Sequence, residues 1–179
     1  FNGERWIGNA IAYGPYRDGQ SPDGSNPSRE ELREDLRLMS KHWSLIRLYG
    51  STEPTETILD VIREDNLGMK VMLGVWIDPE ERLDDGGKVI KLENDRAANR
   101  RGIEAAVQLT ATYPEIVVAV CVGNETQVFW SSHRVPPRLL IEYVREVRAR
   151  TAVPVAAADD FNFWNKPESH AVAREVDFF

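Results

Sequence analysis

Asn124 and Glu125 stand where a carboxyl group is able to do chemistry, just after a strongly apolar segment. Residues 116–122 are apolar throughout, and a single glycine separates them from this pair. A buried strand that ends in a glutamate beside aromatic rings suits cleavage of glycosidic bonds, because a carboxylic acid protonates the leaving oxygen while sugar rings stack on flat side chains. The alternative interpretation of Glu125 is an exposed loop residue without a chemical role.

Polar and aromatic side chains end other apolar segments of the sequence in the same way. They are, in chain order, Tyr13, Arg47, Tyr49, Trp76, Asp159 and Asp160, with Phe161 and Trp164 close behind. An arginine near Glu125 is able to keep a second carboxylate ionised. Structural alternatives exist: Arg47 as a member of an ion pair, and Asp159 and Asp160 as turn residues.

Two local patterns near Glu125 are not interpreted as functional sites. Asn124, Glu125 and Thr126 match the N-glycosylation pattern, but this asparagine belongs to the proposed reaction centre. Cys121 is predicted to be a small buried core residue rather than a nucleophile, because it lies inside the predicted strand with no histidine nearby.

The composition narrows the function classes. The chain has 179 residues, 42% of them hydrophobic, and a formal net charge of −7, so we expect one globular domain over 1–179 and no nucleic-acid partner. One cysteine and three scattered histidines give neither a disulfide framework nor a metal-ligand spacing, and we expect no metal and no cofactor. No apolar run is long enough to span a membrane. The oligomeric state does not follow from the sequence.

Short apolar runs alternate with longer segments of helical periodicity, which predicts βαβ units around a parallel sheet. Strands are predicted over 7–13, 45–49, 70–76, 116–122 and 153–158, with a sixth beginning at 176. Helices are predicted from Ser28, which forms a capping box with Glu31, and over 55–65, 95–112, 136–150 and 170–174. Residues 14–27, 78–93 and 159–164 are predicted to be loops.

Open doubly wound sheets and closed (β/α)8 barrels both show this alternation. The sequence favours a barrel, because the candidate residues gather at the carboxyl ends of the predicted strands, where barrels build their active sites. The two-residue period of the fourth strand predicts which side chains face the barrel interior: Val117, Ala119, Cys121, Gly123 and Glu125.

Five segments together are similar, in order, to bacterial members of glycoside hydrolase family 17. They are residues 12–22, 46–49, 74–77, 120–125 and 153–160, so the resemblance runs through nearly the whole chain. The most specific piece is Val-Gly-Asn-Glu at 122–125, because an Asn-Glu pair after the fourth strand is the acid/base signature of a large clan of retaining barrel glycosidases. The resemblance implies a (β/α)8 TIM barrel, present here as about the first five βα units and the start of strand six.

The resemblance also implies an activity, the retaining hydrolysis of β-1,3-glucan of the laminarin type. Glu125 is implied as the acid/base, and Asn124 as the partner of the sugar 2-hydroxyl. The implied glucan-binding residues are Tyr13, Arg47, Tyr49 and Trp76 on the donor side, Phe161 and Trp164 on the acceptor side or cleft wall, and Asp159 and Asp160 after strand five. Because a polymeric glucan is met outside the cytoplasm, we expect a secreted, periplasmic or cell-surface location.

The nucleophilic glutamate of the family follows the seventh strand and has no counterpart among residues 1–179. We therefore expect a C-terminally incomplete catalytic barrel that is inactive alone, with the nucleophile beyond Phe179. Two alternatives stay open: a β-1,3-glucanosyltransferase of the same fold and a non-catalytic glucan-binding barrel. A barrel enzyme for phosphorylated metabolites is disfavoured, because no phosphate-binding loop is visible in the sequence.

Overall fold

The computed structural model describes residues 8–179, in which strands and helices alternate as expected. The strands are β1 (Ala10–Ala12), β2 (Leu45–Arg47), β3 (Lys70–Val75), β4 (Glu81–Leu83), β5 (Val89–Lys91), β6 (Val117–Asn124) and β7 (Val155–Ala158). The helices are α1 (Arg29–Met39), α2 (Thr55–Glu64), α3 (Glu93–Thr112), α4 (Pro137–Arg150), α5 (Phe161–Trp164) and α6 (Ser169–Ala173).

Five strands form one parallel sheet in the order β1-β2-β3-β6-β7. Neighbours in the sheet follow one another along the chain, apart from the β4-β5 hairpin, and helices lie between them, which is the succession of a (β/α)8 barrel. A parallel bridge between Ala156 and Phe178 begins the sixth strand. The predicted fold class is confirmed: the described chain forms five βα units of such a barrel and the start of strand six.

Two predicted loops contain regular structure. Strands β4 and β5 form an antiparallel hairpin inside 78–93, and α5 occupies most of 159–164. The first strand is shorter than predicted, and Ile7, at its predicted start, lies outside the described residues. The capping box of α1 is confirmed, since Ser28 Oγ accepts from the Glu31 N–H at 3.3 Å and Glu31 Oε2 accepts from the Ser28 N–H at 2.7 Å.

The hydrophobic core lies between the sheet and the helices. Its sheet side is made by β-branched and leucine side chains that are almost fully buried: Val71, Leu73, Val75, Val117, Val120 and Val122. The other side of the same strands carries smaller or polar groups, among them Gly74, Ala119 and Cys121. Gly74 has no room for a side chain, because a Cβ there would lie 2.3 Å from the Leu48 carbonyl oxygen.

A bulge near the start of β6 overturns one part of the sequence prediction. Val117 pairs with Val71, but Ala119 pairs with Met72, so β6 uses one extra residue between them. Val117 therefore joins the core beneath the helices, whereas Ala119 and Cys121 face the inner side. The prediction that Val117 faces the interior is wrong, because an uninterrupted two-residue period does not allow for the extra residue.

Candidate active site

Asn124 rather than Glu125 continues the inner face of β6. Cys121 pairs with Ala156 and Asn124 pairs with Ala158, so three steps along β6 match two along β7. Gly123 lies in this second bulge with a φ of 78°, a backbone conformation that suits glycine. The strict alternation of side chains that predicts Gly123 and Glu125 in the interior therefore fails at the carboxyl end of β6.

Arg47 meets Asn124 across the inner face of the sheet. Its Nη2 donates to Asn124 Oδ1 at 2.7 Å, and the same nitrogen lies 3.8 Å from Cys121 Sγ. The guanidinium carbon lies 5.0 Å from the centre of the Tyr49 ring. Neither hydrogen-bond partner carries a charge, and Arg47 Nε is buried without a partner among residues 8–179. The guanidinium therefore keeps a donor free beside the candidate site.

Cys121 behaves as a core residue, which confirms the prediction. Its side chain is buried, and burial raises the pKa of its thiol, so the neutral thiol is the favoured form. The neighbouring Arg47 opposes this shift without outweighing it.

Glu125 leaves the sheet with its side chain exposed and its backbone in the left-handed region, at a φ of 51°. This conformation is uncommon for a residue with a Cβ and persists only where the surroundings hold it. Here the Glu125 N–H donates to the Ala158 carbonyl at 2.9 Å, and the next residue, Thr126, is buried. The strain and the exposed carboxyl occur together at the carboxyl end of β6.

Residues 126–135 form a closed loop behind Glu125. The Val135 N–H donates to the Thr126 carbonyl at 3.1 Å, and Gln127 Nε2 donates to the Val135 carbonyl at 3.2 Å. Asp159 fixes this loop to β7, because its Oδ2 accepts from the Gln127 N–H at 2.8 Å. Burial raises the pKa of the Asp159 carboxyl, and the negative charge of Glu125 adds to that effect.

The residues after β7 make structural contacts. Asp159 Oδ1 accepts from the Asp160 N–H, and Asp160 caps α5 by accepting from the Asn162 N–H at 2.8 Å. Trp164 donates through Nε1 to the Asp159 carbonyl and stacks on Phe179 with ring centres 4.2 Å apart. Phe161 alone of this group is strongly exposed. Asp159, Asp160 and Trp164 thus make contacts within the protein and stay partly exposed, and their predicted sugar contacts stay a prediction.

Trp76 lies at the mouth of the sheet, with 39% of its surface exposed. Its Nε1 donates to Asp78 Oδ1 at 3.0 Å, and the buried Asn99 of α3 binds both the N–H and the carbonyl of Asp78 at 2.8 Å. The Trp76 indole is thus fixed to α3 through Asp78. One of its faces meets His133, with ring centres 4.3 Å apart.

The sequence reasoning missed His133. Its Nε2 lies 2.7 Å from the Asn124 carbonyl oxygen and its Nδ1 lies 3.2 Å from Ser131 Oγ. Since a carbonyl only accepts, His133 donates through Nε2 and joins Trp76 to the Asn124–Glu125 segment. Its place in an irregular loop, eight residues beyond Glu125, gave no periodic signal that could have revealed this contact.

Tyr13 lies on the opposite side of the sheet from the candidate site, which corrects its predicted place in a sugar subsite. Its ring is buried in the core, and its hydroxyl donates to Asp35 Oδ2 of α1 at 2.8 Å. Burial, with the Asp35 carboxylate, raises the pKa of the Tyr13 hydroxyl. Tyr49, in contrast, is partly exposed next to Arg47. The structure therefore brings together Arg47, Tyr49, Trp76, Asn124 and Glu125.

The family model of the BtgE/BtgC glycoside hydrolase domain matches residues 10–179. The chain belongs to this family. The sequence-based likeness to glycoside hydrolases of family 17 is thereby confirmed.

Among residues 8–179 no group of three or more histidine, cysteine, aspartate or glutamate side chains is placed to hold a metal ion, and no helix there is both long and apolar enough to cross a membrane.

Two fungal relatives match most of the chain. A probable glucan endo-1,3-beta-glucosidase btgC of Aspergillus clavatus is 27% identical over 149 residues, which are 78% of this chain and 19% of the relative. A glucan 1,3-beta-glucosidase of Arthroderma benhamiae is 22% identical over 145 residues, which are 81% of this chain and 40% of the relative. The chain thus spans less than half the length of these relatives.

Two solved structures share the fold. An endo-laminarinase from Formosa superposes with a TM-score of 0.78 at 28% identity, covering 94% of this chain and 47% of that one. A glycoside hydrolase family 17 beta-1,3-glucanosyltransferase from Rhizomucor miehei superposes with a TM-score of 0.67 at 21% identity, covering 95% and 55%. These superpositions support the assignment of the five βα units to a barrel.

Proposed function

We propose that the protein hydrolyses β-1,3-glucan with retention of configuration. The observation that carries the proposal is the Asn124–Glu125 pair at the carboxyl end of β6, which the structure joins to Arg47 on the inner face of the sheet. Family membership and the names of the fungal relatives support the substrate class.

In the proposed reaction Glu125 is the general acid and base. Its carboxylic acid protonates the glycosidic oxygen as the bond to the anomeric carbon breaks, and the resulting carboxylate then takes a proton from the water that releases the product. Asn124, held through its Oδ1 by Arg47, directs its amide N–H₂ toward the sugar 2-hydroxyl. Trp76 and Tyr49 offer ring faces to the sugars on the same side.

Retention needs a second carboxyl group about 5 to 5.5 Å from the first. Asp159 and Asp160 accept backbone N–H groups that fix the 126–135 loop and cap α5, which favours a structural role for both. We assign the nucleophile to a later part of the barrel, opposite the unpartnered Nε of Arg47. Residues 1–179 are then the first part of one catalytic domain, and the polymeric substrate places the enzyme outside the cytoplasm.

The decisive test replaces Glu125 by glutamine in the full-length protein. Loss of the proton donor should lower laminarin turnover by about 10²- to 10⁴-fold while laminarin binding persists. Glu115→Gln is a matched control, because Glu115 is also exposed but precedes β6 at the opposite end of the sheet. Equal turnover by both variants would remove Glu125 from its assigned role.

The products separate the remaining alternatives. Incubation with a single laminari-oligosaccharide should give only shorter products if water is the acceptor, whereas longer products would identify a glucanosyltransferase. A protein that binds laminarin but never turns it over would be a glucan-binding barrel, and the Glu125→Gln variant would then match the wild type in every assay.

A further inference from the structure

Glu125 is held in an uncommon backbone conformation at the end of β6. Its φ of 51° lies in the left-handed region, which a residue with a Cβ adopts only where the surroundings hold it. The φ and ψ rotations of Glu125 set the direction in which its exposed side chain leaves the sheet. The groups that fix the backbone just before and just after Glu125 therefore also fix the direction of its Cα–Cβ bond.

Strand β7 fixes the backbone just before Glu125. Asn124 pairs with Ala158, and the Glu125 N–H donates to the Ala158 carbonyl at 2.9 Å. These contacts join main chain to main chain, so they do not depend on which side chain follows β7. They hold only the peptide unit before Glu125, and its φ and ψ also depend on a second contact after it.

The side chain of Asp159 supplies the contact after Glu125. Its Oδ2 accepts from the Gln127 N–H at 2.8 Å, and its Oδ1 accepts from the Asp160 N–H at 3.0 Å. The half-buried carboxyl group thus joins the segment that follows Glu125 to the end of β7. Burial raises the pKa of this carboxyl, and the N–H groups of Gln127, Asp160 and Thr126 oppose the shift. Hydrogen bonds from N–H groups to a carboxylate are stronger than those between neutral groups.

Asp177 makes the same kind of contact at the other end of β7. Its Oδ2 accepts from the Val155 N–H at 2.8 Å, and its own N–H donates to the Val155 carbonyl at 2.8 Å. Val155 is the first residue of β7, so Asp177 and Asp159 anchor opposite ends of one strand. Of these two carboxyl groups, Asp159 is the one at the end that holds Glu125.

We propose that Asp159 is a positioning residue for the general acid, because it holds the backbone after Glu125 and so directs the carboxyl group toward the glycosidic oxygen. The inference rests on the proposed function for the role of Glu125. Tyr49 and Trp76, which offer ring faces to the sugars, follow β2 and β3, so glucan binding does not depend on Asp159. Loss of Asp159 should therefore impair proton transfer and spare binding.

The test varies how much the leaving group needs a proton. A sugar leaves laminarin only when its oxygen is protonated, whereas a dinitrophenyl laminari-oligosaccharide releases a stable phenolate without an acid. In the full-length protein, Asp159→Ala should lower kcat/KM for laminarin about tenfold, through kcat, which is the size of one hydrogen bond to a charged acceptor. The same variant should keep kcat/KM for the dinitrophenyl substrate within about twofold of the wild type.

Two further variants complete the comparison. Asp177→Ala is the matched control, because it loses a carboxylate contact with a backbone N–H of the same strand, and it should leave both kcat/KM values within about twofold of the wild type. Asp159→Asn keeps the volume of the side chain and one accepting oxygen, so it should lower kcat/KM for laminarin about threefold and serves as the test if the alanine variant folds poorly.

Three results would overturn the positioning role. Equal losses for laminarin and the dinitrophenyl substrate in both Asp159 variants would mean that this residue only stabilises the fold. A higher KM for laminarin with an unchanged kcat would mean that Asp159 contacts sugar directly. Wild-type kinetics in both variants would mean that the end of β7 holds Glu125 without this side chain.

The Glu125→Gln variant separates this proposal from the catalytic one. Asp159→Ala should cause no further loss of laminarin turnover in the Glu125→Gln background, because a displaced acid and a missing acid impair the same step. If each change lowers turnover and the two losses multiply, the positioning role is wrong and the role of Glu125 stands. If Glu125→Gln leaves turnover unchanged, the proposed function fails, and the positioning role fails with it.

Discussion

The two sides of the parallel sheet differ in the size and polarity of their side chains. The side under the helices holds Leu73, Val75 and Val120, which are buried almost completely. The inner side holds Gly74, Cys121 and the Arg47–Asn124 pair, where small volume and hydrogen bonding replace bulk. Residues one position apart on the same strand therefore belong to the hydrophobic core on one side and to the candidate site on the other.

The largest expected effect that separates the two sides is on stability. Leu73→Ala should lower the free energy of unfolding by about 3 kcal/mol, because it removes a buried side chain and leaves a cavity under the helices. The kcat/KM of the folded variant should stay within about twofold of the wild type, as the inner side is untouched. Urea denaturation and laminarin kinetics on the same preparation measure both. A tenfold loss of kcat/KM would show that the two sides are not separable.

A smaller effect is expected from His133, at the mouth of the inner side. His133→Asn removes the donor that reaches the Asn124 carbonyl, and should lower kcat about tenfold, the size of one hydrogen bond to a group that positions Glu125. His133→Gln places an amide N–H near the former Nε2 and should recover most of kcat. Both variants lose the ring against Trp76, so both should raise KM.

The rescue by glutamine is the informative part of that comparison. Equal kcat values for the asparagine and glutamine variants would mean that the hydrogen bond to Asn124 does not position the site. An unchanged KM in both would remove the contact with Trp76 from sugar binding.

The smallest effect concerns Asp159 and the pH dependence of stability. Burial raises the pKa of its carboxyl, so the folded state holds this proton more tightly than the unfolded chain does. The stability that this gives is fully present below the ordinary aspartate pKa of about 3.9 and is lost as the pH rises through the folded pKa. The unfolding free energy of wild type minus that of Asp159→Asn should therefore fall as the pH rises above about 3.9, the ordinary aspartate pKa.

A difference that grows over this pH range would contradict the assignment. It would mean that the N–H groups of Gln127 and Asp160 stabilise the carboxylate more than burial destabilises it.

Periodicity and caps were enough to predict the alternation of the fold, because the helix-facing side obeys them. The capping box at Ser28 is a local signal and lies where it was expected. The Asn-Glu pair also lies at the end of the long strand, but Asn124 rather than Glu125 continues its inner face. In the structure Ile11 pairs with Ile46, whose side chain is buried in the core, and Tyr13, two residues after Ile11, lies on that same side of the sheet. The pairing of β1 with β2 that decides this side is a contact between distant segments, which the sequence alone did not supply.

The rest depended on contacts between segments that are far apart in sequence. The two bulges of β6 are set by its pairing with β3 and β7, and neither is visible in an apolar run. The hairpin had a weak signal in Asp85, Gly86 and Gly87, but its strands have only three residues each and an exposed surface. His133 reaches Asn124 only because the loop closes on itself.

Because the backbone at Glu125 is left-handed, the residue that best stabilises the fold at this position differs from the residue that the proposed catalysis needs. Glycine at this position would relieve strain of about 1 kcal/mol and would also delete the acid. Directed evolution that screens only for heat tolerance is then expected to move away from the glutamate, whereas a screen for the proposed laminarin turnover is expected to retain it. At this one residue, the sequence with the greatest folding stability and the sequence with the proposed acid are different sequences.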